Sequence, residues 1–356
     1  MTDVANIAVW AITPKGAQLA EAIARKMPPA DLFVTVELAS DFDRTHVFAR
    51  LKDAVQRHFL LYSAHIFIMS TGIVVRMIAP LIRNKTQDPA VLVADENGQY
   101  VISLLSGHIG GANALTLKVA ELIQADPVIT TATDVNRLPA VDVLAREKNL
   151  YIENFSAIKT VSMAMLSGAP IYLHDPYNFL SDDLKAVKVL PFPTKKSDGK
   201  ESPQKHVHAG VYIDDKEIKV PDNTLVLRPA TLVAGIGCHR DTSFEELQEF
   251  LFNILGRFAL AVRCLKCLAS VDRRADTAGL PALAKDLEIP IKFFAPQELN
   301  AVQTIENPSV MAKKHIGVES VCEAAAILGS HQGRLIVPKQ STKNMTVAVA
   351  RIPFSL

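Results

Sequence analysis

Residues Tyr100 to Leu105 form an apolar run that ends in Ser106-Gly107-His108, and Gly110-Gly111 precede a second apolar run at helical spacing. A strand, a tight glycine turn and a helix, in that order, form one rigid unit. The rest of the chain has to be placed around it. The glycines remove side chains where the backbone must turn or let a ligand approach. A helix starting at this turn directs backbone N–H groups and the positive end of its dipole at the turn. His108 sits in the middle, and histidine is the side chain suited to proton transfer near neutral pH.

Strand and helix patterns alternate before and after this unit. Ile7 to Ile12 reads as a buried strand, and Thr13-Pro14 starts a helix to about Met27. Further strands are predicted over Leu32–Leu38, Ala64–Met69, Ala90–Ala94, Tyr100–Leu105 and Pro127–Thr131, with a helix over Thr45–Leu60 and another from His108 to about Gln124. Asp95-Glu-Asn-Gly98 is a turn sequence joining two of the strands. From about residue 136 helices are expected over Leu138–Leu150 and Ser156–Leu166, with short strands at Pro170–His174, His208–Ile213 and Thr224–Leu227. Residues 191–205 are rich in Pro, Lys and Ser and read as a linker. A third unit opens with the strand Thr231–Cys238 and a Ser243-Phe-Glu-Glu246 capping box. Strands at Cys267–Val271, Ile291–Phe294, Leu335–Val337 and Met345–Ile352 follow, with helices over Thr277–Leu287 and Val318–Leu328. The fold class is α/β: two three-layer domains with mainly parallel sheets (1–135 and 229–356) joined by a small α+β middle segment (136–228). In such sheets ligands sit beyond the carboxyl ends of strands. Ser70-Thr71-Gly72, Ser106-Gly107-His108 and Thr130–Asp134 all fit that position, so one sheet edge is expected to collect them.

Composition narrows the function classes. The 38 basic and 37 acidic residues balance to +1, which gives no basis for nonspecific nucleic-acid or membrane-surface binding. No apolar run reaches the roughly 18 residues that span a bilayer. No basic segment followed by a cleavable apolar stretch opens the chain, so a cytoplasmic location is expected. Four cysteines make no disulfide framework.

The other motifs carry weaker chemistry. Gly235-Ile-Gly237 matches the start of a dinucleotide fingerprint, but position 240 is Arg where the third glycine belongs. That helix start, with His239 and Arg240 beside it, still suits a carboxylate. Cys264-Leu-Lys-Cys267 has no second pair to complete a zinc site, and His206 and His208 adjoin the polar linker, so no metal centre is expected. Asp272-Arg273-Arg274 follows a strand, so its charges should emerge at a ligand face. Glu319 and Glu323, at i and i+4, read either as an acid–base pair or as a solvated helix face. Ser106 and Thr71 lack a nucleophile elbow and read as hydrogen-bond donors.

Met69-Ser-Thr-Gly-Ile-Val-Val-Arg76, Ile78-Ala-Pro80, Lys85, Asp88-Pro89-Ala-Val91, Leu105–Thr116 and Thr131-Ala-Thr-Asp134 together resemble the N-terminal domain of the CbiG family. These are the cobalt-precorrin-5A hydrolases of anaerobic cobalamin biosynthesis. Gly235–Arg240, Ala269–Asp272, Ala275-Asp276, Gly279-Leu280, Val321–Ala325 and Thr346–Arg351 resemble that family's C-terminal domain, which occurs alone in CobE proteins. The resemblance implies a hydrolase that opens the ring-A δ-lactone of a cobalt-containing tetrapyrrole and releases acetaldehyde. It implies no separate cofactor, because the cobalt belongs to the substrate. The tetrapyrrole is the expected partner, neighbouring cobalamin-pathway enzymes are further candidates, and monomer and homodimer both stay open. Within the matched motifs, His108, Asp134 and Glu323 are candidates for catalysis. Ser70, Thr71, Gly72, Arg76, Lys85, Ser106, Gly107, Gly110, Gly111, Asn113, Gly237, Arg240, Asp272 and Arg273 are candidates for substrate contact, with N–H groups around Gly110 and Gly111 as oxyanion donors. Two α/β units carrying glycine turns predict a cleft between domains for so large a ligand. The competing readings are a non-catalytic escort for the corrinoid intermediate and a nucleotide-dependent enzyme.

Overall fold

Thr13 sets the first boundary of the fold. Its hydroxyl accepts from the Gly16 N–H at 3.1 Å and Pro14 takes the first helical position, so the helix starts where the strand before it ends. The computed structural model describes residues 6–42, 45–84, 87–193, 208–275 and 277–354. Lys85, His206 and nearly all of the expected 191–205 linker lie outside the described residues.

In chain order the first elements are β1 (Ile7–Ala11), α1 (Pro14–Lys26), β2 (Ala30–Thr35), β3 (Thr45–Phe48), α2 (Leu51–His58), β4 (Ala64–Ile68), α3 (Thr71–Ile78), β5 (Ala90–Ala94), β6 (Tyr100–Leu105), α4 (Ala112–Ile123), β7 (Asp126–Val128) and α5 (Ala132–Val135). They build a seven-stranded sheet of order β3-β2-β1-β4-β5-β6-β7. Every neighbouring pair is parallel except β5–β6, the hairpin closed by the Asp95–Gly98 turn. Helices α1 and α4 bury Ala17, Ala20, Ile23, Val119 and Ala120 on one face, and α2 and α3 bury Ala54, Val55, Val74 and Ile78 on the other. Against that second face His65 is fully buried. Its Nδ1 accepts from the Trp10 indole N–H at 3.0 Å and its Nε2 donates to the Phe59 carbonyl at 3.0 Å. Burial therefore holds this imidazole neutral, with its pKa pushed down to about 4.

The remaining elements are α6 (Val141–Glu147), β8 (Leu150–Ile152), α7 (Ser156–Leu166), β9 (Ile171–His174), β10 (Val189–Pro191), β11 (Gly210–Ile213), β12 (Thr224–Pro229), β13 (Leu232–Cys238), α8 (Phe244–Arg257), β14 (Leu265–Val271), α9 (Gly279–Asp286), β15 (Ile291–Phe294), α10 (Pro296–Asn300), α11 (Val310–His315), α12 (Cys322–Gly329), β16 (Arg334–Ser341) and β17 (Met345–Arg351). They form two five-stranded sheets, β10-β9-β11-β12-β8 and β15-β14-β13-β17-β16. By compactness the chain divides once, into Met1–Val143 and Leu144–Leu356, so these two sheets belong to one unit.

Several expected boundaries move, each for a local reason. The helix predicted over Thr45–Leu60 is split, because Thr45-His-Val-Phe48 suits a pleated strand and pairs on the open edge of β2. The strand predicted to Leu38 ends at Thr35 in a 3₁₀ turn. Leu138–Leu150 gives a shorter helix, and Leu150 pairs with Pro229 instead. Gly279 and Pro281 sit inside α9, in the first turn, where proline costs no hydrogen bond.

Buried charge joins the two sheets of the second unit. Asp215 is fully buried and accepts from Arg351 Nε and Nη2, both at 2.6 Å, and from the Thr231 hydroxyl at 3.2 Å. Arg228 is 2% exposed and donates to Glu153 and to the Asp214 and Lys216 carbonyls. All four cysteines are free and buried, and burial raises the thiols, Cys238 to about 11. Among the described residues no cluster of three or more His, Cys, Asp or Glu could hold a metal ion, and no helix is long and apolar enough to cross a membrane. Removing one member of a buried pair strands its partner. Asp215→Ala is expected to lower unfolding free energy by about 3–5 kcal/mol, read from urea denaturation followed by circular dichroism.

Candidate active site

The glycine turn after β6 is built by steric necessity. Ser106 takes a left-handed conformation (φ 59°) and Gly111 caps α4 at φ 86°. A Cβ on Gly110 would lie 2.3 Å from Ser106 Cβ, and one on Gly107 would lie 2.7 Å from Asn113 Oδ1. The turn closes on itself: the Gly111, Ala112 and Asn113 N–H groups donate to the His108, Ser106 and Gly107 carbonyls at 2.9, 3.0 and 2.9 Å. Gly111 is therefore not free to act as an oxyanion donor, contrary to the expectation. Among the described residues, the Gly110 N–H has no partner. Ser106 is a donor, as its residue type predicted, giving its proton to the Asp88 carbonyl at 3.0 Å. The Asp88 carboxylate in turn holds the Arg83 N–H at 2.9 Å.

Strand β7 runs parallel to β6, so its carboxyl end delivers the Thr131–Asp134 segment beside this turn. Asp134 Oδ2 accepts from Thr131 Oγ1 at 2.5 Å, Asn113 Nδ2 at 3.1 Å and His108 Nε2 at 3.1 Å. The same His108 nitrogen lies 2.8 Å from the Thr133 hydroxyl. Asn113 is 6% exposed and locks the amide end of this network, since its Nδ2 also reaches Thr131 Oγ1 at 2.8 Å and its Oδ1 accepts from Ser103 at 2.7 Å. Partial burial pushes the Asp134 carboxyl up. The hydrogen bonds from Thr131, His108 and Asn113 outweigh that and hold it below the usual carboxylate range.

An ionised carboxylate only accepts, so Asp134 places the imidazole proton on Nε2. His108 Nδ1 then carries the free lone pair, and no protein group among those described bonds to it. This is the arrangement of a general base whose second nitrogen is oriented by an acid. Asp134 was itself a candidate base, but a depressed, multiply hydrogen-bonded carboxylate is a poor proton acceptor and serves as the orienting group. Thr133 and Thr131 were not singled out individually. Their signal was the spacing Thr131-Ala-Thr133-Asp134, which puts two hydroxyls within one turn of the carboxylate.

Ser70, Thr71 and Gly72 do not join this cluster. They follow β4, whose carboxyl end lies level with Ala94 and Val101, whereas Ser106 follows β6, which runs the other way. At ~3.3 Å per residue the two turns are about 20 Å apart, on opposite edges of one sheet. Arg76 is exposed and folds back onto the Gly72 carbonyl at 3.3 Å.

The candidates in the second unit separate in the same way. Glu323 is fully buried, and its carboxylate accepts from the Glu306, Asn307 and Lys339 N–H groups and from Asn307 Nδ2, each at 2.9 Å. Burial raises this carboxyl, but those four donors outweigh it and hold it low. Glu323 is thus a structural clamp and not a catalytic acid or base. Glu319 lies before α12, outside its helical repeat, so the i,i+4 pair does not form. A Cβ on Gly235 would fall 1.9 Å from the Cys322 carbonyl and one on Gly237 2.7 Å from Thr346 Oγ1. Both glycines serve close packing against α12 and β17, which removes the dinucleotide reading of this pair. Asp272 and Arg273 are exposed in a 3₁₀ turn beyond β14, and Arg240 stands in the loop beyond β13.

The depressed Asp134 carboxyl has a stability signature. Such a group contributes fully above its unfolded pKa, about 3.9 for Asp, and the contribution fades as pH falls through the lower folded value. In urea denaturation, Asp134→Asn is expected to be less stable than wild type at pH 7 by a margin that narrows only below about pH 4.

Residues 53–134, 139–229 and 232–350 match the families described as cobalamin synthesis G N-terminal, cobalamin biosynthesis central region and cobalamin synthesis G C-terminus. The chain is 37% identical to cobalt-precorrin-5A hydrolase of Salmonella typhimurium, over 97% of both proteins. It is 30% identical to cobalt-precorrin-5A hydrolase of Priestia megaterium, over 99% of this chain and 97% of that one. A 123-residue stretch is 32% identical to protein CobE of Sinorhizobium sp, covering 34% of this chain and 80% of that protein. All three segments of the cobalamin synthesis G proteins are present in order, and two relatives match end to end, so this chain belongs to the CbiG family.

Proposed function

We infer that this chain is a cobalt-precorrin-5A hydrolase of cobalamin biosynthesis. The full-length likeness to two proteins of that name carries the assignment. The geometry of His108 supports its chemistry. The substrate is a cobalt-containing tetrapyrrole whose ring-A δ-lactone is opened by water, and the metal travels with the substrate. The place of action we propose is the cytoplasm.

His108 Nδ1 takes a proton from water as the oxygen attacks the lactone carbonyl, and the Gly110 N–H faces the charge that develops there. Asp134 stabilises the imidazolium that results. Collapse of the tetrahedral species breaks the ring C–O bond, leaving a carboxylate on ring A and a carbinol on the carbon extruded from the macrocycle. Deprotonation of that hydroxyl breaks the carbon–carbon bond to the macrocycle. The carbinol carbon leaves with its methyl group as acetaldehyde, and the electron pair passes into the conjugated ring system. One water is consumed and one acetaldehyde released, so no redox partner is required.

His108→Ala is expected to reduce acetaldehyde release by about 10²–10⁴-fold, the usual worth of a positioned base. Alcohol dehydrogenase and NADH report the product. Wild-type rate in His108→Ala would remove His108 from the chemistry. No acetaldehyde from the wild-type protein would favour the escort reading.

A further inference from the structure

A pocket of about 560 Å³ opens in the second unit, beyond the carboxyl ends of β13 and β14 and beside the start of α12. Its lining includes His239, Arg274, Ser320, Cys322, Lys339 and Lys343, and no Asp or Glu is among the described lining residues. Two donors there are left without partners. Ser320 is 1% exposed, and its hydroxyl has no nitrogen or oxygen partner in the protein. The Cys322 thiol beside it, pushed up by burial, offers only a weak sulfur contact. Arg274 Nε is likewise buried without a partner. Buried donors are satisfied in folded proteins almost without exception, so two unsatisfied ones lining the same basic pocket mark the place of an acceptor that comes from outside. An anionic acceptor fits best: His239, Arg274, Lys339 and Lys343 all line the pocket, no Asp or Glu among the described residues does, and the carboxylate of Glu323 in the first turn of α12 is already filled by its own four donors.

We propose that this pocket binds a carboxylate, with Arg274 Nε–H and Ser320 O–H as donors to its oxygens. A planar group with two acceptor oxygens can take a guanidinium N–H on one oxygen and a hydroxyl on the other. Gly237 keeps the wall clear: a side chain there would collide with Thr346 Oγ1. The carboxylate can belong to an acetate or propionate arm of a tetrapyrrole, which rests on the hydrolase reading, or to a small free dicarboxylate, which does not.

Isothermal titration of the full-length protein separates these sources. The probes are succinate, inorganic phosphate, a cobalt corrinoid with free carboxylates, and the methyl ester of that corrinoid. Each is run against wild type, Arg274→Gln and Ser320→Ala, with melting curves checking the fold. Both variants are expected to weaken carboxylate binding by about tenfold or more, the worth of a charge-assisted hydrogen bond, and leave ester binding unchanged. Weakened corrinoid binding assigns the site to a tetrapyrrole arm, and an effect confined to succinate assigns it to a free dicarboxylate. Equal affinity of wild type and Arg274→Gln for both carboxylate probes overturns the proposal. So does phosphate binding more tightly than either. Acetaldehyde assays on the same samples keep the two readings apart. A wild-type protein that releases none but binds carboxylates through Arg274 loses the hydrolase assignment and keeps the pocket. The reverse pattern keeps the hydrolase and loses the pocket.

Discussion

One carboxylate oxygen organises the candidate active site. Asp134 Oδ2 gathers hydrogen bonds from Thr131 in its own turn, from Asn113 on α4 and from His108 in the glycine turn. Ser103 on β6 is tied in through Asn113. Four separate stretches of chain are thus registered against a single acceptor. Because that acceptor is held ionised, it fixes both the ring orientation of His108 and the nitrogen that carries the proton. The glycines are the steric condition for this, since side chains at Gly107 or Gly110 would strike Asn113 or Ser106 and open the network.

The position of the site follows from one strand reversal. Residues Asp95–Gly98 turn the chain so that β6, and with it β7, run against β1–β5. The carboxyl ends of the parallel majority therefore lie on one edge, with Ser70–Gly72, and His108 lies on the other. In the second unit β13 and β14 run parallel, so their carboxyl ends open on a common edge. The two Glu and Asp residues buried most deeply there, Glu323 and Asp215, are consumed by backbone N–H groups and by Arg351. Arg274 Nε and the Ser320 hydroxyl in the neighbouring pocket keep their capacity for an external acceptor.

Local signals were legible in the sequence where local physics decides. Thr13-Pro14 capped its helix, Ser243 accepted from the Glu246 N–H at 3.2 Å, and the Asp95–Gly98 turn closed a hairpin. The Ser106–Asn113 turn and the Thr131–Asp134 segment were found from their residue types and do come together. What failed was long-range. The hairpin already implied that β6 opposes β5, and carrying that consequence through would have separated Ser70–Gly72 from His108. Glu323 looked available because a sequence shows a carboxylate's charge but not the four donors that fill its lone pairs. Thr45–Phe48 looked helical because the open edge of β2 that recruits it is not encoded within those four residues.

The central claim concerns which nitrogen of His108 is free, and nitrogen-15 shifts of labelled imidazole report that directly. At a pH high enough to leave the ring uncharged, the His108 resonance, assigned by its loss in His108→Ala, should show the proton on Nε2 in the wild-type protein and a tautomer mixture in Asp134→Asn. A ring protonated on Nδ1 in the wild type, or unchanged shifts in Asp134→Asn, would contradict the account.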